Sequence, residues 1–166
     1  MLKFNETGDV LLRCSYSAKG GIKIPNGVTE IDSEAFRDCT GLTSVQIPNG
    51  VTRIGEWAFE GCTGLKSIKI PSSITSIGVQ TFAFCSCLTS VEIPNSVTFI
   101  GLTAFNGCTG LHEIHMKIEH IENVKIDSKL SSFIEENCTL YVPIGTGYAY
   151  RHHPVFGRFK HVVIER

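Results

Sequence analysis

The sequence lacks an excess of charge of either sign and a long apolar run. Its 166 residues carry 15 Lys and Arg against 16 Asp and Glu, which gives a formal net charge of −1. Nucleic acids and anionic membranes bind concentrated basic surfaces, so this balance argues against both as partners. No apolar stretch approaches the roughly 20 residues that a membrane-spanning helix needs, so we expect no membrane insertion.

Targeting and catalytic motifs are also missing. The first six residues lack the apolar core of a secretory signal, which leaves a cytoplasmic location or the removal of a leader as alternatives. The sequence contains no G-x-S-x-G, P-loop or H-E-x-x-H motif, and no candidate nucleophile has an evident base. We therefore predict that the protein is not an enzyme, has no catalytic residues and needs no cofactor.

What the sequence does contain is one pattern that recurs every 23 residues. A fixed period of roughly 20 to 50 residues is typical of solenoid proteins, in which each repeat forms one coil. Six columns keep the same phase: Ile24, Ile47, Ile70 and Ile93, each followed by Pro; Val28, Val51, Ile74 and Val97; Ile31, Ile54, Ile77 and Ile100; Phe36, Phe59, Phe82 and Phe105; Cys39, Cys62, Cys85 and Cys108; Leu42, Leu65, Leu88 and Leu111.

Each unit predicts two short extended segments and one turn. Residues 42–47 have the alternation of a strand that points Val45 inward, and Pro48 ends it. Residues 51–54 predict a second extended piece, after which we expect Gly55 to permit a sharp bend. Residues 56–60 then fit a single helical turn whose Ala and Phe face the core.

One coil cannot bury its apolar face alone, so coils must stack and the stack needs caps. We predict a single domain over residues 1–166. It comprises an N-terminal cap over 1–21 with a strand at Val10–Leu12, four regular repeats over 22–115, a degenerate coil over 116–139 and a C-terminal cap over 140–166.

The unit I-P-x-x-V-T-x-I-G-x-x-A-F-x-x-C-T-G-L-x-S-I-x resembles the BspA-like leucine-rich repeat of bacteria from the gut and mouth. The ending from Leu140 to Val163 is similar to the C-terminal caps of that family, and the resemblance extends from about Val10 onward. It implies a leucine-rich-repeat solenoid, a β-rich α/β fold that is right-handed, with a parallel sheet on one face and short helical turns.

The resemblance also implies a function. The characterised members of the family are mostly surface or secreted proteins that adhere to host extracellular matrix proteins or to other cells. We therefore expect a non-catalytic scaffold that binds a protein or glycan. Two alternatives stay open: an intracellular structural or assembly module of unknown partner, and a hydrolase centred on His152 and His153.

The cysteine column and the histidines invite a disulfide or metal interpretation. Equivalent side chains of stacked coils point the same way, so we expect a ladder of buried thiols and no disulfide framework. Cys87 stands where sister coils have Gly. Zinc needs three or four converging ligands, and we expect His112 and His115 to face opposite sides of a strand, so we predict no metal site.

The outward positions of the strands are the first candidates for partner contact, because repeat proteins bind with such extended faces. The alternative is a solvated sheet surface on which the side chains of Lys69 and Glu92 pair across strands. The candidates form two columns: Ser44, Ser67, Ser90 and Glu113 in one, and Gln46, Lys69, Glu92 and His115 in the other.

Three aromatic residues depart from otherwise polar columns. Trp57 aligns with Glu, Gln and Thr, Phe84 with Asp and Gly, and Phe99 with Glu, Arg and Ser. An exposed ring at such a position is a candidate anchor for a partner. The alternative is that neighbouring side chains cover the three rings.

Overall fold

The computed structural model describes residues 1–127 and 132–165, and in these residues short strands and turns predominate over four short helices. The helices lie towards the C-terminus: the 3₁₀ helices Ile121–Asn123 and Phe156–Arg158, and the α-helices α1 (Ser132–Asn137) and α2 (Gly147–His152). The strands are β1 (Leu2–Phe4), β2 (Val10–Cys14), β3 (Gly20–Lys23), β4 (Glu30–Ile31), β5 (Leu42–Gln46), β6 (Arg53–Ile54), β7 (Ser67–Ile68), β8 (Ser76–Ile77), β9 (Ser90–Ile93), β10 (Phe99–Ile100), β11 (Glu113–Met116), β12 (Lys125–Ile126), β13 (Thr139–Val142) and β14 (His161–Ile164).

One side of the molecule is a parallel sheet, which we call the sheet face. Strands β3, β5 and β7 pair in that order, and β9, β11, β13 and β14 continue the series. A parallel bridge between Lys69 and Glu92 joins the two groups. Ser44 lies opposite Ser67, and Val91 lies opposite Ile114, so corresponding positions of successive repeats are in register. The predicted parallel sheet is therefore confirmed.

Shorter strands form a second set of ladders, which we call the back sheet. Strand β2 pairs with β4 and β4 with β6, while β8, β10 and β12 pair in the same parallel manner. The second extended piece that the sequence predicts is thus present, as Arg53–Ile54 in its repeat. The N-terminal strand predicted at Val10–Leu12 is present as β2, which extends from Val10 to Cys14. Strand β1 pairs with it in antiparallel orientation.

The predicted helical turn of each repeat is wrong. Residues 33–38, 56–61, 79–84 and 102–107 form consecutive tight turns, which together we call the turn ladder. Left-handed backbone at Trp57 (φ 56°) and Gly61 (φ 69°) interrupts any helix. The amide of Phe59 donates across to the Thr81 carbonyl at 2.9 Å, whereas that of Glu60 donates to the Trp57 carbonyl at 3.0 Å within the same turn. Bonds between coils thus alternate with bonds inside each turn, and no helix forms. Ala58 and Phe59 are nevertheless fully buried, as predicted.

The core is a set of side-chain stacks that run along the molecule. The rings of Phe36, Phe59, Phe82 and Phe105 stack nearly parallel, with centroids 4.8, 5.4 and 5.5 Å apart. All seven cysteines are free thiols, and every one except Cys87 is buried, which confirms the predicted thiol ladder. Cys62 Sγ donates to the carbonyl of Phe36 at 3.0 Å, so the thiols also link neighbouring coils.

Gly55 permits close approach of two coils. A Cβ atom at this position would lie 2.4 Å from the amide nitrogen of Ser33 and 2.6 Å from its Cα. No ordinary side chain could occupy that space without moving the backbone. The same crowding recurs at Gly101, where a Cβ would lie 2.8 Å from the carbonyl carbon of Gly78.

The predicted division into caps and repeats stays a prediction. Part of the degenerate coil over 116–139, namely residues 128–131, lies outside the described residues, as does residue 166 of the C-terminal cap. In the described part of that cap, Tyr150, Phe156 and Phe159 are buried against the last coils, and Tyr150 Oη donates to the Ile118 carbonyl at 2.8 Å.

Candidate functional site

The sheet face brings the eight predicted strand residues together in two adjacent columns. Strand register aligns Ser90 with Glu113, and it aligns Glu92 with His115. Main-chain pairing fixes the register of the strands. Val and Ile side chains at alternate positions are buried in the core, so the residues between them face outward. Gln46, Lys69, Glu92 and Glu113 are exposed, and His115 is half-buried.

Shallow grooves run between the outward side chains of this face. Ser44, Gln46, Ser67 and Lys69 line one groove of about 490 Å³. A second groove of about 330 Å³ lies beside it, lined by Ser67, Lys69, Ser90, Glu92 and His115. Hydroxyl, amide, ammonium, carboxylate and imidazole groups therefore all point into a continuous open surface.

The ion pair between Lys69 and Glu92, which belongs to the alternative interpretation of a solvated sheet surface, does not form. Their main chains bridge, but the Glu92 carboxylate lies 4.0 Å from the ammonium of Lys117. Within residues 1–127 and 132–165, the structure places no carboxylate within ion-pair distance of the Lys69 ammonium. Among the described residues, the exposed Lys69 ammonium therefore has no ion-pair partner on the sheet face, although the main chain of Glu92 lies opposite it.

The C-terminal end of the sheet face carries a denser polar cluster than the sequence predicted. Glu165 accepts hydrogen bonds from Lys117 and from His115 Nδ1. The hydrogen bond from Lys117, and to a smaller extent that from His115, lowers the pKa of the Glu165 carboxyl below its usual range. The His115 ring stacks on Tyr141, with centroids 4.5 Å apart and planes 5° from parallel.

Sequence reasoning missed Lys117, Tyr141 and Glu165 because the 23-residue period fails after residue 115. One signal was present: the strand predicted around Tyr141 could have extended the outward column by one coil. Register indeed aligns His115 with Tyr141, and Tyr141 with Val163. Glu165 has no periodic signal at all.

The three outlying aromatic residues lie away from the sheet face. Trp57 is half-buried in the turn ladder, where its Nε1 donates to Gln80 Oε1 at 2.7 Å. Phe84, also in the turn ladder, is 46% exposed, and its ring lies over Gly107. Phe99 is half-buried in the back sheet. The structure therefore does not gather the eleven predicted contact residues into a single site.

The buried thiols of the cysteine column and the two histidines of the C-terminal segment are held in place by their surroundings. Burial raises the pKa of Cys39 to about 12 and that of Cys138 to about 11, so both are neutral at physiological pH. His152 Nδ1 donates to the Tyr148 carbonyl at 2.8 Å, and His153 Nδ1 accepts from the amide of Val155 at 3.2 Å. Both imidazoles are thus engaged with the main chain around α2.

His112 is exposed and precedes strand β11, so it is not on the opposite face of that strand from His115 as expected. Among residues 1–127 and 132–165, no three His, Cys, Asp or Glu side chains converge as metal ligands would. In the same residues, no helix has the length and apolar character needed to cross a bilayer.

A family model of the BspA type leucine rich repeat region matches residues 14–131, in six copies. No curated protein matches the chain.

Solved structures of bacterial leucine-rich-repeat proteins share the fold. A leucine rich cell surface protein from Faecalibacterium prausnitzii A2-165 is 29% identical, with a TM-score of 0.71 over 99% of this chain and 38% of that one. The T. pallidum leucine rich repeat protein is 26% identical, with a TM-score of 0.68 over 89% of this chain and 69% of that one.

The pneumococcal vaccine antigen PcpA is 19% identical, with a TM-score of 0.78 over 98% of this chain and 46% of that one, which shows likeness of fold alone. The chain thus spans less than half the length of the Faecalibacterium and pneumococcal structures. The repeat pattern, the stacked core and the match over residues 14–131 agree, and the chain belongs to the BspA-type leucine-rich-repeat family.

Proposed function

We propose that this chain is a non-catalytic scaffold that recognises a protein partner through its sheet face, in the manner of a bacterial surface adhesin. The observation that carries the proposal is the open double column of outward polar side chains, in which Lys69 is exposed and has no ion-pair partner among the described residues. A rigid parallel sheet holds these groups at fixed spacing, so a partner binds without the cost of ordering the surface.

The charge along the face suggests how a partner is oriented. Lys23 and Lys69 supply positive charge towards the N-terminal end, whereas Glu92 and Glu113 supply negative charge farther along. Complementary charge steers encounter and fixes register. The partner segment therefore carries an acidic group opposite Lys69 and a basic group opposite Glu113.

The binding test uses purified extracellular-matrix proteins as probes: fibronectin, laminin and collagen, each immobilised for surface plasmon resonance. We expect micromolar or tighter binding to at least one of them. A variant with Lys69→Glu and Glu92→Lys reverses the charge pattern of the face and should weaken that binding about tenfold or more.

The matched control exchanges the charges of Glu30 and Arg53 (Glu30→Arg with Arg53→Glu), which form an ion pair on the back sheet. This double variant should bind like the wild type. Absence of micromolar binding to all three probes, or equal binding by both charge-exchanged variants, contradicts the proposal. Loss of wild-type binding after the matrix protein is deglycosylated would assign recognition to a glycan.

A surface location is part of the same proposal. Fractionation of the native cell with an antibody against this chain should find it in the surface or secreted fraction. Detection in the cytoplasmic fraction alone would favour an assembly module inside the cell.

The solenoid that carries the face is right-handed and has a 23-residue unit in its regular part. Support comes from the in-register pairs, such as Glu30 with Arg53, and from the strong preference of parallel strand connections for the right-handed sense. An experimental electron-density map would show left-handed coils if this part of the proposal is wrong.

A further inference from the structure

Among the described residues, β14 is the last strand of the sheet face, and two of its apolar side chains are exposed. It pairs with β13 on one side, and within the described residues no strand pairs with its other side. Val163 and Ile164 are 43% and 45% exposed. Natural proteins protect such an edge with lysine, proline or a covering segment, and β14 contains neither lysine nor proline.

The hydrogen-bonding groups on that free edge belong to Val162 and Ile164. The amide of Glu165 donates to the Val142 carbonyl of β13 at 2.8 Å. In a parallel ladder, alternate residues of a strand bond to the same neighbour, so residues 161, 163 and 165 direct their peptide groups towards β13. The N–H and C=O groups of Val162 and Ile164 consequently point away from the sheet.

We propose that two copies of this chain pair edge to edge through β14, antiparallel about a two-fold axis at Val163. This register is self-complementary. Val162 lies opposite Ile164 of the second copy and exchanges two hydrogen bonds with it, and Val163 meets its own equivalent. His161 lies opposite Glu165 of the second copy, a pair with opposite charges when the imidazole is protonated.

Glu165 can accommodate this additional contact. Its carboxylate already accepts from Lys117 and His115, and two carboxylate oxygens offer about four acceptor positions. The imidazole of His161 is exposed and has no competing ion pair among the described residues. The contact between His161 and Glu165 therefore favours the antiparallel register at both ends of the paired strands. Lys160, which precedes the strand, lies 4.0 Å from the Glu136 carboxylate.

An apolar groove beside β14 adds to the contact. Gly147, Tyr148 and Ile164 line a groove of about 360 Å³ between α2 and β14. Tyr148 is 77% exposed and the nearby Ile144 is 75% exposed, which is unusual for side chains of this size. In the symmetric pair, Val162 of the second copy comes next to Ile164 on this side and removes apolar surface from water.

The opposite edge of the sheet face is a poorer partner. Strand β3 begins with Gly20 and Gly21 and ends with the exposed Lys23. Glycine weakens strand pairing, and an edge lysine opposes it. Pairing of β14 with β3 of another copy would moreover give an open chain of molecules, whereas the two-fold pair closes.

The first test is the oligomeric state of the full chain by sedimentation equilibrium, from about 1 μM to about 1 mM protein, where weak self-association is measurable. We expect a monomer–dimer equilibrium. Val163→Lys puts two ammonium groups opposite each other and should leave only monomer, whereas Gln46→Lys, an outward substitution on β5, should dimerise like the wild type.

The charged pair is tested separately with two variants of one residue. His161→Glu places two carboxylates opposite each other and should raise the dimer dissociation constant about tenfold, whereas His161→Lys should lower or preserve it. Circular dichroism should show the same fold for both variants, since His161 is exposed.

A disulfide tests the register directly. Equivalent Cα atoms at the centre of such a pair lie about 4.5 Å apart, within reach of a disulfide. In a Cys87→Ser background, Val163→Cys should form a covalent dimer on mild oxidation, and Gln46→Cys should not. A monomer at every concentration, an open series of oligomers, or a dimer that survives Val163→Lys would each overturn the proposal.

Discussion

At the scale of single residues, the turn ladder depends on backbone conformation as much as on side chains. Trp57 and Phe84 adopt left-handed φ values of 56° and 60°, which non-glycine residues rarely adopt. Sister coils have Gly61 and Gly107 in the position of Phe84. Those glycines were a signal for left-handed backbone, but the column of Trp57 contains no glycine. The pattern therefore favoured a helical turn that does not exist.

Gly55 gives a direct test of close approach between coils. Gly55→Ala places a methyl group against the backbone of Ser33, and we expect it to lower the free energy of unfolding by about 2 kcal/mol. The control is Gly50→Ala, because a Cβ there would meet only the Val28 carbonyl at 3.6 Å. Equal stability of the two variants in urea titrations would mean that the coils can separate freely.

At the scale of elements, the repeat columns of the sequence predicted much of the fold. The predictions that failed on the sheet face involve residues outside the 23-residue period. The Phe and Cys columns predicted the buried stacks because every coil repeats the same environment. The cluster around His115 could not be predicted in full, since Tyr141 and Glu165 come from elements outside the regular period. The alternative pairing of Lys69 with Glu92 was wrong: the Glu92 carboxylate lies 4.0 Å from Lys117, a residue beyond the regular repeats.

The phenylalanine stack predicts a dependence on position. Phe59 has a stacked ring on each side, whereas Phe105 stacks on Phe82 alone among the rings of the described residues. Phe59→Ala should lower the free energy of unfolding by about 4 kcal/mol and Phe105→Ala by about 3 kcal/mol. Guanidinium titrations of both variants measure the difference, and a larger loss for Phe105→Ala would contradict it.

At the scale of the whole molecule, the thiol ladder makes stability depend on alkaline pH. Burial raises the pKa of Cys39 and Cys108 to about 12 in the folded state, from an ordinary value of 9.0. As pH rises, the thiols therefore lose their protons at a lower pH in the unfolded chain than in the folded protein. The contribution of the protonated thiols to the free energy of unfolding is fully present below about pH 9 and decreases between about pH 9 and about pH 12.

Urea titrations at pH 8 and pH 10.5 should show this loss, with a slope of at most about 1.4 kcal/mol per pH unit for each thiol. Cys62→Ala removes one buried thiol and should give a shallower alkaline slope, although its stability at pH 8 is lower. A wild-type stability that is unchanged between the two pH values would show that the thiols do not titrate on unfolding.

The turn ladder has an electrostatic consequence at the same scale. Its inter-coil bonds share one direction: the amides of Phe36, Phe59 and Phe82 each donate to the carbonyl of the following coil. Each peptide group carries a dipole of about 3.5 D, and aligned dipoles add. The turn ladder therefore has a dipole along the length of the molecule, and its positive end lies at the turn of residues 102–107. An anion near this end is stabilised, and the effect is largest at low ionic strength.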